Sequence, residues 1–123
     1  EEGEAPPTRS SNDVVRVYDG LPLVKEASDL KDKANACFKQ KKHQDAAKFY
    51  EQGIAVLKRS EGHPMLREEQ EQVKALKAVL HSNIAECMLR LQLYRRAIES
   101  ATACIDIDKE NAKAFYRRSQ AYE

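Results

Sequence analysis

Apolar residues recur at helical intervals over most of the chain, beginning near residue 27. After Ser28, a residue type typical of helix N-caps, the apolar positions step by three or four residues and form one stripe: Leu30, Ala34, Cys37 and Phe38. This spacing predicts a first helix over about 27–40. Beyond the polar stretch "KKHQD", the same period predicts a second helix through Ala46, Ala47, Phe49, Tyr50, Ile54 and Leu57.

The rest of the chain keeps this helical character. The stretch "SEGHP" at 60–64 interrupts it, and three further helical stretches follow: "MLREEQEQVKALKAVLHSNIAECMLRLQ", "LYRRAIESATACIDID" and "NAKAFYRRSQAYE". From Lys25 onward Gly and Pro are scarce, and the dominant residues are those that lose little conformational entropy in a helix. The sequence therefore predicts an all-α fold.

The N-terminal stretch, 1–26, has a different composition. Residues 1–13 combine Pro, Gly, Ser and acidic residues with almost nothing apolar to bury, which is typical of a linker. The stretch "VVRVYDGLPLV" at 14–24 alternates in a β-like way, but Gly20 and Pro22 break the pattern. We therefore interpret 1–26 as a linker or extended N-terminal arm, which either lies on the domain or is the tail of a preceding one.

The helices repeat at a fixed interval. Ala34 and Ala46 are related as i and i+12, as are Ala85 and Ala97, and Ser119 stands at i+34 from Ala85. Small residues at matching points on two helices let the helix axes approach closely. A period of about 34 residues, with one antiparallel helix pair in each unit, is typical of a helical-hairpin solenoid. The alternative is that the helices are unrelated and the alanines coincide by chance. Matches in three places disfavour this alternative.

An insertion separates the first two repeats. Repeats that begin at Ala27, Ala78 and Ala112 are separated by 51 positions and then by 34, so the first interval is longer by 17. The excess falls across 58–77, whose composition favours lengthened helices joined by a Gly-His-Pro turn. The predicted units are repeat 1 at about 27–60, an extended connection at about 58–77, repeat 2 at about 78–111 and a partial repeat 3 at 112–123.

Charge and hydropathy disfavour two classes of partner. Lysine and arginine number 21 against 20 acidic residues, a formal net charge of +1, and the two signs are interleaved along the chain. We therefore expect neither a nucleic acid nor a membrane as partner. No apolar run approaches the ~20 residues of a membrane helix, and the N-terminus lacks the layout of a signal peptide. The expected location is cytoplasmic or nuclear.

The sequence carries no recognisable catalytic or metal-binding motif. The three cysteines include no C-x-x-C pair and are odd in number, so we interpret them as reduced thiols of the core. His43, His63 and His81 lie far apart, with no acid or nucleophile at a useful spacing. We therefore expect no enzymatic activity, no metal and no cofactor.

The repeat length and the alanine spacing give the chain a resemblance to a known family. Residues 27–123 resemble a tetratricopeptide repeat domain with two whole repeats and the first helix of a third. The lengthened connection is similar to that of the large immunophilins, and "NAKAFYRRSQAYE" resembles the third repeat of cytosolic co-chaperones. The resemblance implies a solenoid in which the opening helix of each repeat lines the concave side.

A subset of this family binds peptides through a two-carboxylate clamp, and the chain matches all five positions of that clamp. In the register that the alanines set, these residues are Lys31, Asn35, Asn83, Lys113 and Arg117. The resemblance implies a partner, the C-terminal Glu-Glu-Val-Asp tail of the ninety- and seventy-kilodalton heat-shock chaperones. The implied function is that of a co-chaperone-like protein-protein interaction module.

The residue types at these positions suit such a ligand. Lys31 and Asn35 are i, i+4 neighbours on one helical face, and so are Lys113 and Arg117. The cations match the terminal carboxylate and the adjacent Asp side chain, and the asparagine amides supply directed donors. The alternative is that the cations are ordinary solvated surface residues. The two asparagines weaken that alternative, because Asn is a poor residue for a helix interior.

Several neighbouring residues complete these expectations. Phe38 and His81 are candidates for further groove contacts, whereas Arg118 is expected to face another side. The third repeat lacks its second helix and a polar cap, so Tyr122 and its apolar neighbours are expected to be uncovered. We therefore expect that the natural chain continues, or that a partner covers this face, with self-association as one form of it.

Two other functions stay open at this point. In one, the chain is the regulatory arm of a larger enzyme, such as a prolyl isomerase or a phosphatase. In the other, it is a scaffold whose groove takes a different peptide. The connection similar to that of immunophilins favours the first of these, and no motif in the sequence favours the second.

Overall fold

The computed structural model of the chain describes residues 19–123, which form five α-helices. They are α1 (Leu21–Lys39), α2 (His43–Lys58), α3 (Arg67–Arg90), α4 (Tyr94–Ile107) and α5 (Ala112–Tyr122). No strand occurs within 19–123, which confirms the predicted all-α fold. The expectations for residues 1–18 lie outside the described part of the chain. No helix within that part is long and apolar enough to cross a membrane.

The helices form two hairpins and one further helix, arranged in two layers. The helix α1 packs on α2, α3 packs on α4, and α5 packs on both helices of the second hairpin. Contacts of α1 with α3 and of α3 with α5 place these three helices side by side in one layer, with α2 and α4 behind them. The opening helices of the repeats therefore share one face, as a repeat solenoid requires.

The turns of the two hairpins have the same backbone conformation and the same closing hydrogen bond. Lys41 adopts φ 64° in the first, and Gln92 adopts φ 62° in the second. The next backbone N–H donates to the carbonyl oxygen of Cys37 at 2.9 Å in one hairpin and of Met88 at 2.8 Å in the other. The offset of 51 from Lys41 to Gln92 equals the predicted offset between the first two repeats. The left-handed residue and the bond that closes it satisfy the orphan carbonyls of each first helix.

Small residues allow the helices to approach closely. Ala34, Ala46, Ala85 and Ala97, the two pairs that revealed the repeat, are all fully buried. Gly53 of α2 has a similar role, since a Cβ built there would stand 3.1 Å from Cδ1 of Leu80 and 3.5 Å from the carbonyl oxygen of Ala27. Three helices therefore meet closely at Gly53, and a Cβ there would require the side chain of Leu80 to shift.

The first helix begins six residues earlier than predicted, so the assignment of 1–26 as a linker or extended arm is wrong for its last six residues. Pro22 lies in the first turn of α1, and Ser28 lies inside the helix and not at its start. Proline is tolerated in a first turn because its missing N–H costs nothing there. Leu23 is buried in the core, and the backbone N–H of Gly20 donates to Oε1 of Glu69 at 3.2 Å. Gly20 and Pro22 therefore begin a helix where the sequence pattern suggested a break.

The insertion between the repeats is divided between a turn and α3. The helix α2 ends at Lys58 after 16 residues, and α3 runs for 24 residues from Arg67. The turn between them includes Gly62 at φ 83°, a left-handed conformation that favours glycine. Lys77 of α3 forms an ion pair with Glu61 of the turn at 3.0 Å. Of the two lengthened helices that the composition favoured, α3 alone has the extra length.

The face of α5 that points away from the second hairpin is rich in aromatic residues. Phe115, Tyr116 and Tyr122 are 43%, 66% and 70% exposed, in agreement with the prediction that Tyr122 is uncovered. Ala112, counted as the first residue of repeat 3, is exposed, whereas its counterparts Ala27 and Ala78 are buried. The difference arises because α5 contacts neighbours on one side only.

A pair of adjacent residues on α3 tests this packing. Leu80→Ala removes a side chain that is 0% exposed, and we expect it to lower the free energy of unfolding by about 2–5 kcal/mol through lost burial and the cavity that remains. Val79→Ala, at a position that is 40% exposed, is the control and should change it by about 0.5 kcal/mol or less. Urea unfolding followed by circular dichroism measures both, and equal effects would contradict the described packing.

Candidate functional site

One cavity of about 390 Å³ opens on the layer of α1, α3 and α5. It is lined by Asn35, Phe38, Lys39, Tyr50, Asn83, Glu86, Arg90 and Arg117. Three of the five predicted clamp residues, Asn35, Asn83 and Arg117, therefore meet here from three different helices. Phe38, a predicted groove contact, also lines the cavity.

A buried tyrosine connects the two predicted asparagines to the core. Tyr50 of α2 is 3% exposed, and its hydroxyl donates a short hydrogen bond to Oδ1 of Asn35. Burial, together with the nearby Cys87 thiol, raises the pKa of Tyr50 to about 12, against the opposing effects of Arg117 and of a hydrogen bond with Asn83. The hydroxyl therefore stays protonated at neutral pH. Because it occupies the amide oxygen of Asn35, Nδ2 of Asn35 is left to donate into the cavity.

Arg117 extends from α5 to α3 and is anchored there. Its Nη1 donates to the carbonyl oxygen of Ser82 at 2.9 Å and to the hydroxyl of Ser82 at 2.6 Å. Its Nε donates to Oε1 of Glu86 at 3.1 Å. The side chain is only 17% exposed. The guanidinium is therefore held in a fixed orientation at the cavity wall.

Glu86 and Arg90 continue this network along α3. Nε of Arg90 donates to Oε2 of Glu86 at 2.7 Å, so Glu86 bridges two arginines. The guanidinium carbon of Arg90 lies 5.7 Å from the ring centroid of Phe38, a cation–π distance. Together these contacts connect α1, α3 and α5 at the mouth of the cavity.

Sequence reasoning missed four residues of the lining, Lys39, Tyr50, Glu86 and Arg90. The signal for the last two was available, because Asn83, Glu86 and Arg90 follow one another at steps of three and four residues and so share a face of α3. The clamp pattern of the family contains five positions, and none of these residues occupies one of them. Glu86 in particular is acidic, and an acidic side chain is not expected in a receptor for carboxylates.

The two predicted clamp lysines lie beside the cavity but do not line it. Lys31 precedes Asn35 by one turn of α1 and is half-buried, and Lys113 precedes Arg117 by one turn of α5 and is exposed. Among the residues that the structure describes, neither ammonium group forms a hydrogen bond or an ion pair. No contact within the described residues therefore prevents either ammonium group from moving toward an anion in the cavity.

His81 lies in a different place from the one expected. It lines a second cavity of about 300 Å³ with residues of α2, α3 and α4, among them Glu51, Lys58 and Ser100. Burial, with smaller contributions from Lys58 and Lys77, lowers the pKa of His81. Two residues along an α-helix correspond to a rotation of about 200°, so His81 is directed away from the face that carries Asn83. The expectation of a groove contact at His81 is therefore wrong.

Arg118 faces another side of α5, as predicted. Its Nη1 donates to Oγ1 of Thr102 on α4 at 3.3 Å, and its guanidinium carbon lies 5.4 Å from the centroid of the Phe115 ring. The bond to Thr102 attaches α5 to the second hairpin. Arg118 therefore has a structural partner outside the cavity.

The cavity has the chemistry of an anion receptor. Its lining contains three cations, Lys39, Arg90 and Arg117, and one acid, Glu86, with the amide donors of two asparagines between them. Cations and amide donors converging on a partly enclosed space favour a carboxylate or another anion. In the part of the chain that the structure covers, no group of three or more His, Cys, Asp or Glu residues is arranged to hold a metal ion.

No family model matches the chain, but it is similar in sequence to several known proteins. The chain is 30% identical over 99 residues to peptidyl-prolyl cis-trans isomerase FKBP4 of Mus musculus, which is 80% of the chain and 21% of that protein. It is 31% identical over 105 residues to Hsp70/Hsp90 co-chaperone CNS1 of Saccharomyces cerevisiae, which is 85% of the chain and 24% of that protein. The chain therefore spans about a quarter or less of the length of these relatives.

A solved structure has the same fold. The C-terminal TPR-containing domain of a Plasmodium falciparum FK506-binding protein superposes with a TM-score of 0.77 and 26% sequence identity, covering 85% of this chain and 68% of that one. This similarity agrees with the repeat found in the sequence and with the layered arrangement of the opening helices. The chain therefore has the fold of a tetratricopeptide repeat domain, and the proteins it is similar to include a co-chaperone and a prolyl isomerase.

Proposed function

We propose that this domain binds the acidic C-terminal tail of heat-shock chaperones, a peptide that ends in Glu-Glu-Val-Asp. The observation that carries the proposal is that Asn35, Asn83 and Arg117, from three different helices, line one cavity. The relatives support the class of partner, since one of them is described as an Hsp70/Hsp90 co-chaperone.

The ligand and the cavity have complementary charges. The last residue of such a tail carries two carboxylates a few ångströms apart, one on the main chain and one on the side chain. In the proposed complex Nδ2 of Asn35 and the amide of Asn83 donate to one carboxylate, and Arg117 meets the other. Lys31 and Lys113 close over the pair from the two sides of the groove.

The expected affinity is moderate. Hydrogen bonds to charged groups contribute roughly 1.5–3 kcal/mol each, but binding also orders a flexible tail and the long side chains that hold it. A dissociation constant in the micromolar range, about 8 kcal/mol, is consistent with this balance. An affinity in this range allows the domain to bind its partner and release it again.

We propose that the domain works as a recruiting module, so that chemistry, where the parent protein performs any, lies outside residues 19–123. The match to a prolyl isomerase that is far longer than the chain favours a second candidate, the docking arm of a larger enzyme. The two candidates share the same groove and the same ligand, and they differ only in what the groove brings to the chaperone. The proposed location, cytoplasmic or nuclear, follows from the partner.

Arg117→Ala tests the proposed function most directly. It removes a guanidinium that Ser82 and Glu86 orient at the cavity wall, and we expect at least a tenfold loss of affinity for a Glu-Glu-Val-Asp peptide in calorimetry. Arg118→Ala is the matched control, because it removes the same side chain one position along, where the partners are Thr102 and Phe115. Equal losses in the two variants would contradict the assignment of the groove.

The ligand side gives an independent test. Amidating the C-terminus of the peptide removes one of its two clamped carboxylates, and we expect it to abolish measurable binding because the amide donors and cations lose their anionic partner. The control is a peptide that has the same composition and a free carboxylate but a scrambled order. If amidation leaves the affinity unchanged, the clamp is not the binding mode.

Tyr50→Phe tests whether the buried hydroxyl positions the asparagines. The substitution removes one oxygen and frees Oδ1 of Asn35, so the amide can rotate. We expect a 2- to 10-fold loss of affinity for the free tail, which corresponds to about 0.5–1.5 kcal/mol for one hydrogen bond. The amidated tail should bind both proteins equally weakly, and a combined variant with Asn35→Ala should lose little more than Asn35→Ala alone. Fully additive losses would show that the hydroxyl does not act through Asn35.

A further inference from the structure

The lining of the proposed carboxylate receptor contains a carboxylate of its own. Glu86 is the one acidic residue among the eight that line the cavity. Its side chain is 19% exposed, and both of its oxygens accept hydrogen bonds, Oε1 from Arg117 at 3.1 Å and Oε2 from Arg90 at 2.7 Å. The acid therefore engages the same guanidinium groups that an acidic peptide would seek.

Arg117 has anchors besides Glu86. Nη1 of Arg117 has two acceptors on Ser82, at 2.9 Å and 2.6 Å, that do not involve Glu86. Arg90 likewise has a second contact, with the ring of Phe38. Removing the charge of Glu86 would leave both arginines anchored by these neighbours, so its main contribution to the site is electrostatic.

The position of Glu86 on Arg117 sets up a competition. A carboxylate binds a guanidinium best through two parallel hydrogen bonds, and Glu86 already holds the Nε side of Arg117. An incoming carboxylate meets the remaining donors of Arg117 and, within a few ångströms, the negative charge of Glu86. Each charge on the ligand is repelled by that acid, by an amount that corresponds to about 3-fold in affinity per charge in a solvated groove.

We propose that Glu86 is an internal counter-ion that lowers the affinity of the groove for acidic tails. The affinity is lowered more for a tail that carries more negative charges. The inference rests on the proposed function, because it concerns the same groove and the same class of ligand. It also has a kinetic consequence, since a groove whose arginines are partly neutralised releases its ligand faster and depends less steeply on salt.

Glu86→Gln tests the inference. Glutamine keeps one oxygen that can accept from Arg117, so the variant removes the charge and preserves the shape of the site. We expect it to bind the free Glu-Glu-Val-Asp peptide about 10-fold more tightly, and a Glu-Glu-Val-Asn peptide, which has one clamped charge fewer, about 3-fold more tightly. Raising the salt concentration should reduce these gains.

Two controls accompany this variant. Glu99→Gln makes the same change of charge at an exposed position of α4 and should leave both affinities within about 2-fold of those of the unchanged protein. Glu86→Ala removes the acceptor as well, and it should also bind the free tail more tightly, because Ser82 still anchors Arg117. Thermal unfolding of each variant establishes that it is folded.

The outcomes separate this inference from the proposed function. Unchanged or weaker binding by Glu86→Gln, with the unchanged protein still distinguishing free from amidated tail, overturns the inference and leaves the proposed function in place. Equal gains for the two peptides overturn it as well, since a charge effect must grow with the charge of the ligand. If neither protein distinguishes free from amidated tail, the proposed function and the inference are both overturned.

Discussion

Close approach of the helices at small side chains is the constraint on which the rest of this structure depends. Alanines at matching points of both hairpins are fully buried, and Gly53 lies close to the side chain of Leu80 and the backbone of Ala27. A larger residue at any of these points would push the helices apart by overpacking the core. The side chains of Asn35, Asn83 and Arg117 line one cavity because the helices that carry them are held this close.

Several of the side chains that line this cavity form a network of ion pairs. Arginines from α3 and α5 share one acid, and an aromatic ring from α1 lies under one of them. Arg117 and Glu86 are both less than a fifth exposed, so their ion pair is screened less by salt than an isolated surface pair is. The clamp lysines beside the cavity differ from these arginines, since neither ammonium group has a partner within the described residues, with Lys31 half-buried and Lys113 exposed. The site therefore combines anchored arginines in the lining of the cavity with unpaired lysines beside it.

Repeat period and alanine spacing predicted the fold well, because helix packing imposes a regular requirement for small residues that is visible in the sequence. Local signals were less reliable. Gly20 and Pro22 usually end an element, but here they begin one, because Pro is tolerated in a first helical turn and the Gly20 N–H finds Glu69 far along the chain. No local pattern contains that long-range contact. The lining of the cavity could be predicted only in part for a similar reason. The repeat register indicates Asn35, Asn83 and Arg117, whereas the roles of Tyr50 and Glu86 depend on which side chains meet across helices.

The hydroxyl of Tyr50 belongs to the core and to the groove at once. Its ring is packed in the core, and its oxygen orients the amide of Asn35 in the lining of the cavity. On the proposed function, folding and binding of the tail are thermodynamically linked. A tail present at a hundred times its dissociation constant would stabilise the domain by about 2.7 kcal/mol. On the proposed function, the abundance of the chaperone would then govern how long each copy of this domain survives unfolding and proteolysis.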